Sequence, residues 1–134
     1  MSRMIFVNLP VSDIPRARRF YESLGYTINE QFSGPDTACV VVSETIYLMV
    51  LARDRFAGFC ALPVGDPARE TAVLLALSCE GRPAVDVMAA AALAHGGREV
   101  RPAEDHGFMY QRCFADPDGN VFEPFWMDPA AVAG

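Results

Sequence analysis

One order of elements, a strand, then a helix, then about three strands, is written twice along this chain, and that repetition constrains its fold more than any other feature. In the first occurrence, residues 4–11 are rich in β-formers. Ser12 and Asp13 are helix-capping residues, and Pro15 falls where a first helical turn accepts proline. Ile14, Ala17, Phe20, Tyr21 and Leu24 then recur at helical spacing. Gly25 stands where helices end in a left-handed residue. Strands are expected over 26–32, 37–43 and 45–51, and a short helix over 53–59. In the second occurrence a strand over 70–79 leads to a helix over 83–95, with Val85, Met88, Ala92 and His95 on one face and Gly96-Gly97 at its end. Strands over 98–102, 108–114 and 121–126 follow, with Asp116-Pro117-Asp118-Gly119 as a turn. The expectation is an α+β fold of one domain over 1–134, built from two βαβββ modules. They span about 4–60 and 70–127, joined by a proline- and glycine-bearing linker over 61–69. Each helix would cover one face of a curved sheet, leaving the other faces to line a shared cleft, the usual place for a ligand.

At 134 residues, with 51% of them hydrophobic, such a chain buries enough surface to fold without a disulfide or metal. Net charge is −6 and basic residues are scattered apart from Arg16, Arg18 and Arg19. Nucleic acid binding is therefore not expected, because it needs a basic stripe. No apolar run reaches the roughly 20 residues of a membrane span, and no signal peptide is expected. Cys39, Cys60, Cys79 and Cys113 form no Cys-x-x-Cys pair and sit in or beside apolar segments, which fits reduced thiols in a cytoplasmic protein.

Leu9-Pro10-Val11-Ser12-Asp13-Ile14, Phe20-Tyr21 and Leu24-Gly25-Tyr26 resemble the first half of the vicinal oxygen chelate superfamily, the glyoxalase/bleomycin resistance protein/dioxygenase proteins. The run from Phe114 through Asp116-Pro117-Asp118-Gly119 to Glu123 resembles their closing hairpin. More narrowly, residues 42–49, 105–110 and 125–128 are similar to a bacterial branch labelled predicted lactoylglutathione lyase. Metal-dependent members hold one divalent ion with four residues, usually His or Glu. The resemblance places those positions at Phe6, near Leu48 or Met49, near Leu74, and at Glu123. Only Glu123 retains a family-type ligand, one of four, so no metal cofactor is expected.

Glu123 lies in an otherwise apolar strand and shares a face with Val121 and Phe125. With His106, in the loop before the 108–114 strand, it forms the candidate catalytic pair; Arg112, Tyr110 and Tyr47 are alternative partners for the carboxylate. Phe6, Asn8, Tyr47, Met49, Tyr110 and Trp126 are candidate ligand-binding residues facing the cavity. Aromatic rings with an amide and a phenol suit a planar or mixed-polarity small molecule. Two functions compete: a binding protein without catalysis, and a lyase or isomerase of glyoxalase type using Glu123 as acid or base. Dioxygenase chemistry fits least, since iron(II) wants two His and a carboxylate. The resemblance implies a homodimer.

Overall fold

The computed structural model describes residues 2–133, which form eight strands and four helices. The chain divides into two compact units, Met1–Asp66 and Pro67–Gly134.

In the first unit β1 (Ile5–Val11) leads into α1 (Ile14–Ser23), and β2 (Thr27–Gly34), β3 (Thr37–Val41) and β4 (Ile46–Ala52) follow, closed by α2 (Arg53–Ala57). Asp13 caps α1, its side chain accepting from the Arg16 backbone N–H at 2.9 Å. Ile14, Ala17, Phe20, Tyr21 and Leu24 are all buried, so the helical stripe read from the sequence is the face α1 lays on its sheet. Gly25 has φ +97° and ends the helix. The strand order is β1-β4-β3-β2, with β1 parallel to β4 and the other pairs antiparallel.

The second unit repeats the pattern with β5 (Leu74–Ser78), α3 (Arg82–Ala94), β6 (Arg98–Asp105), β7 (Met109–Ala115) and β8 (Val121–Met127), then a short α4 (Pro129–Ala133). Its order is β5-β8-β7-β6, again with one parallel pair, β5 with β8. Val85, Ala89 and Ala92 of α3 are buried, above Phe114 and Phe122, whose rings stack at 5.6 Å. Met88 and His95 are less covered than the sequence stripe implied, and His95 is exposed with Nδ1 2.8 Å from the Ala91 carbonyl.

Among the departures from the sequence reading, three have a local reason. β5 begins at Leu74 because its ladder starts opposite Val121, the first residue of β8. β6 runs through Pro102 to Asp105, since it is an edge strand with register shifts on both sides of Arg101, where a missing N–H is tolerated. α4 was not foreseen; the Asp128 side chain accepts from the Ala130 N–H at 3.0 Å and starts it.

Between β7 and β8, Asp116 is buried and organises the turn. Its Oδ1 accepts from the backbone N–H groups of Asp118 (3.0 Å) and Asn120 (2.8 Å), and its Oδ2 from the Asn120 side chain (2.9 Å). Gly119 in this turn has φ +105°, and a Cβ there would lie 2.5 Å from the Pro67 carbonyl oxygen. Only glycine satisfies both conditions.

Candidate functional site

Side chains alternate across a strand, so the ladder registers assign every site candidate to a face. In the first sheet Leu9, Val11, Val40, Leu48 and Val50 share the buried face beneath α1. Phe6, Asn8, Tyr47 and Met49 therefore share the opposite, open face, as the sequence reading requires. Phe6 is paired with Tyr47, and Asn8 with Met49. The Phe6 and Tyr47 rings stack with centroids 4.6 Å apart and planes 9° from parallel. Phe6 is 46% exposed. Asn8 donates from Nδ2 to the Phe6 carbonyl at 3.2 Å, and the Tyr47 hydroxyl donates to the Glu44 carbonyl at 3.0 Å. The small patch thus presents an aromatic ladder, a thioether and an amide, with no charged side chain among them.

In the second sheet the candidates separate. Tyr110 is opposite Trp126, and Gln111 opposite Phe125, so even-numbered residues of β7 and β8 face α3 and odd-numbered ones face away. Tyr110 and Trp126 consequently lie under α3, not on the face of Glu123. The Tyr110 hydroxyl donates to Asp86 of α3 at 2.6 Å, and the Arg82 guanidinium sits 5.5 Å from the Tyr110 ring centre and 5.2 Å from that of Trp126. Arg82 also reaches Asp105 (2.5 Å) and the Gly107 carbonyl (2.8 Å). Arg112 pairs with Asp86 at 3.0 Å and Glu99 at 3.4 Å, rather than with Glu123. The hydrogen bond from Tyr110, with Arg112 beside it, holds the Asp86 carboxyl below the usual aspartate range, and the same bond pushes the Tyr110 phenol up. This is a polar lock between helix and sheet.

Glu123 keeps the odd-numbered face, with a side chain 14% exposed. Its partner is Arg101, which sequence reasoning missed: Nη2 donates to Glu123 Oε2 at 2.5 Å. Arg101 lies opposite Cys113 on β7, and Cys113 is in turn level with Glu123 on β8, so the arginine side chain crosses one strand to reach the carboxylate. Burial pushes the Cys113 thiol pKa up, leaving it an unreactive core group. The carboxylate contact raises the Arg101 pKa further, so the guanidinium is charged at any working pH. His106 does not meet Glu123. Its Nε2 lies 3.4 Å from Glu104 Oε2, and its backbone N–H bonds the Met109 carbonyl, at the end of the hairpin remote from Glu123. Glu104 in turn lies 3.5 Å from Arg101 Nε, so His106 and Glu123 are joined only through two intervening charged residues.

Residues 3–43 match the family model described as bleomycin resistance protein-like N-terminal. Among solved structures, the hypothetical protein SA1046 from S. aureus matches with a TM-score of 0.79 at 20% identity, covering 94% of each chain. A glyoxalase/bleomycin resistance protein/dioxygenase family enzyme from Burkholderia phytofirmans PsJN gives 0.76 at 21% identity, over 94% of this chain and 99% of its own. The fosfomycin resistance protein FosX from Mesorhizobium loti gives 0.67 at 16% identity, over 100% and 97%. The chain has the glyoxalase/bleomycin resistance/dioxygenase fold. A search of curated protein sequences finds no match.

That fold implies a divalent ion in its metal-dependent members, and the residues here do not suit one. Phe6 and Leu74 offer no donor, Met49 offers only a soft thioether that suits a divalent ion poorly, and the fourth position, Glu123, is neutralised by a guanidinium. Among the described residues no three His, Cys, Asp or Glu side chains gather closely enough to hold an ion. No helix among them is long and apolar enough to cross a membrane.

Proposed function

We propose that this protein is a member of the glyoxalase/bleomycin resistance/dioxygenase superfamily that binds a planar small molecule without a divalent ion and without turning it over. The observation that carries the reading is the open face of the first sheet, where the half-exposed Phe6–Tyr47 stack lies beside Asn8 and Met49. A ring laid on Phe6 extends the stack, and such contacts contribute about 0.5–1.5 kcal/mol beyond the area they bury. Asn8 Oδ1 has no partner among the described residues and is available to accept from the ligand. The net charge of −6 favours a cationic ligand through long-range attraction.

The alternative is a lactoylglutathione-lyase-like enzyme with Glu123 as acid or base. Its support is weaker, because the expected relay partner, His106, contacts Glu104 instead. Four unpaired thiols support a reducing, cytoplasmic setting. Exposed apolar residues on the edge strands β1 (Ile5) and β5 (Leu74) support association with a second copy.

Proflavine, a planar aminoacridine cation, tests the reading by fluorescence titration. Saturable binding is expected, unchanged by EDTA and weakened at least tenfold by Phe6→Ser. Binding that Phe6→Ser leaves intact, or that EDTA abolishes, overturns it.

A further inference from the structure

The face of the second sheet turned away from α3 carries a different cluster, an ion pair. Glu123 is largely buried, yet only one of its carboxylate oxygens, Oε2, is engaged; Oε1 has no partner among the described residues. Arg101 spends one Nη2 hydrogen on that oxygen and turns Nε toward Glu104, leaving the Nη1 edge without a partner among the described residues. A guanidinium presents five donors in a rigid fork, so an uncommitted edge beside a committed one points in a fixed direction. The register shifts on both sides of Arg101 re-aim its side chain across β7, which a regular strand would not do. Beside Glu123 in the ladder stands Ala76 on β5, whose small side chain leaves room, and Phe125 follows on the same face of β8 as an apolar neighbour.

We propose that the Arg101–Glu123 pair is a binding site for a neutral group carrying a hydrogen-bond donor next to an acceptor, of amide or lactam type. The donor meets Glu123 Oε1 and the acceptor meets Arg101 Nη1. Charge decides the class. A carboxylate or phosphate would face Glu104 and Glu123 at close range, and an ammonium would face Arg101. A neutral donor–acceptor edge satisfies both open groups and leaves the ion pair intact. Hydrogen bonds to charged partners are among the stronger ones, and one rigid donor–acceptor edge makes both at once where water must be held as separate molecules. The proposal rests on the reading of this chain as a small-molecule binder, but it uses none of the first-sheet residues.

The test is an amide-resolved NMR titration with 2-pyridone, whose N–H adjoins its carbonyl. N-methyl-2-pyridone, benzoate and benzamidinium serve as comparisons. Saturating shifts at Ala76, Cys113 and Glu123 are expected with 2-pyridone, and at least fivefold weaker binding for the N-methyl compound and both ions. The double variant Arg101→Met with Glu123→Leu replaces both partners by apolar groups, which keeps the fold intact where a single loss strands a charge. It should abolish the shifts, while Phe6→Ser should leave them unchanged. Equal binding of the N-methyl compound, tighter binding of either ion, shifts that survive the double variant, or no response at these amides overturns the proposal. Proflavine binding that persists in the double variant shows the first-sheet reading standing apart from that outcome.

Discussion

The two modules repeat one topology and diverge on one face. Between helix and sheet each is filled by a buried aromatic pair: Phe20 and Tyr21, supplied by α1, in the first, and Phe114 and Phe122, supplied by β7 and β8, in the second. On the faces turned away from the helices they differ in kind. The first shows a stacked aromatic pair, an amide and a thioether, while the second shows an ion pair crossing a buried thiol. The covered face must pack to hold the module together, so its chemistry is fixed by burial. The other face is buried only in part, at Cys39 and Leu51 in the first sheet and at Cys113, Ala115 and Val121 in the second, and there the two copies of the same programme carry different side chains.

The largest expected effects test the likeness. Phe20→Ala and Phe122→Ala should each cost about 3–5 kcal/mol in denaturant unfolding, by lost burial and cavity formation. Costs that differ by more than about 2 kcal/mol would show that the covered faces are not equivalent. A sharper contrast comes from two glycines with similar backbone angles. Gly25 (φ +97°) has nothing within 4 Å of its Cβ position, whereas Gly119 (φ +105°) faces the Pro67 backbone. Gly25→Ala should cost about 1–2 kcal/mol, the backbone penalty alone. Gly119→Ala should add overpacking of about 1–3 kcal/mol to it. Equal losses in a melting experiment would contradict the close approach. The smallest effect concerns the lock beneath α3. Asp86 has a depressed pKa in the folded state, so its contribution is present above the ordinary aspartate range and fades as pH falls through the depressed value. Asp86 is about half exposed, and solvent screening limits Asp86→Asn to a few tenths of a kcal/mol at neutral pH. That gap should close in strong acid; a gap independent of pH would remove the ionic part of the lock.

Much of the fold was legible because both helices advertise themselves. The stripe from Ile14 to Leu24 and the stop at Gly25 are local signals, and the structure places each where its spacing demands. The open face of the first sheet was legible too, since Phe6 with Asn8 and Tyr47 with Met49 are two apart in regular strands. The second sheet was harder. Glu123 and Trp126 are three residues apart in one strand, which alone sends them to opposite faces, so their separation is legible in the sequence. Arg101 was not available: the bulges around it break the alternation that would predict its direction, and its partner lies two strands away. Pro102 concealed the strand that carries it, because an edge position tolerates a proline that an inner strand excludes.

Most depends on the engagement of the Glu123 carboxylate by Arg101, at the position where the resemblance to metal-dependent proteins of this fold places a ligand to an ion. Protein exposed to excess zinc, manganese and iron(II), then passed through a desalting column, can be assayed for metal by plasma mass spectrometry. Far less than one ion per chain should remain, in the natural sequence and in Glu123→Gln alike. Retention of about one ion per chain, lost on Glu123→Gln, would contradict it.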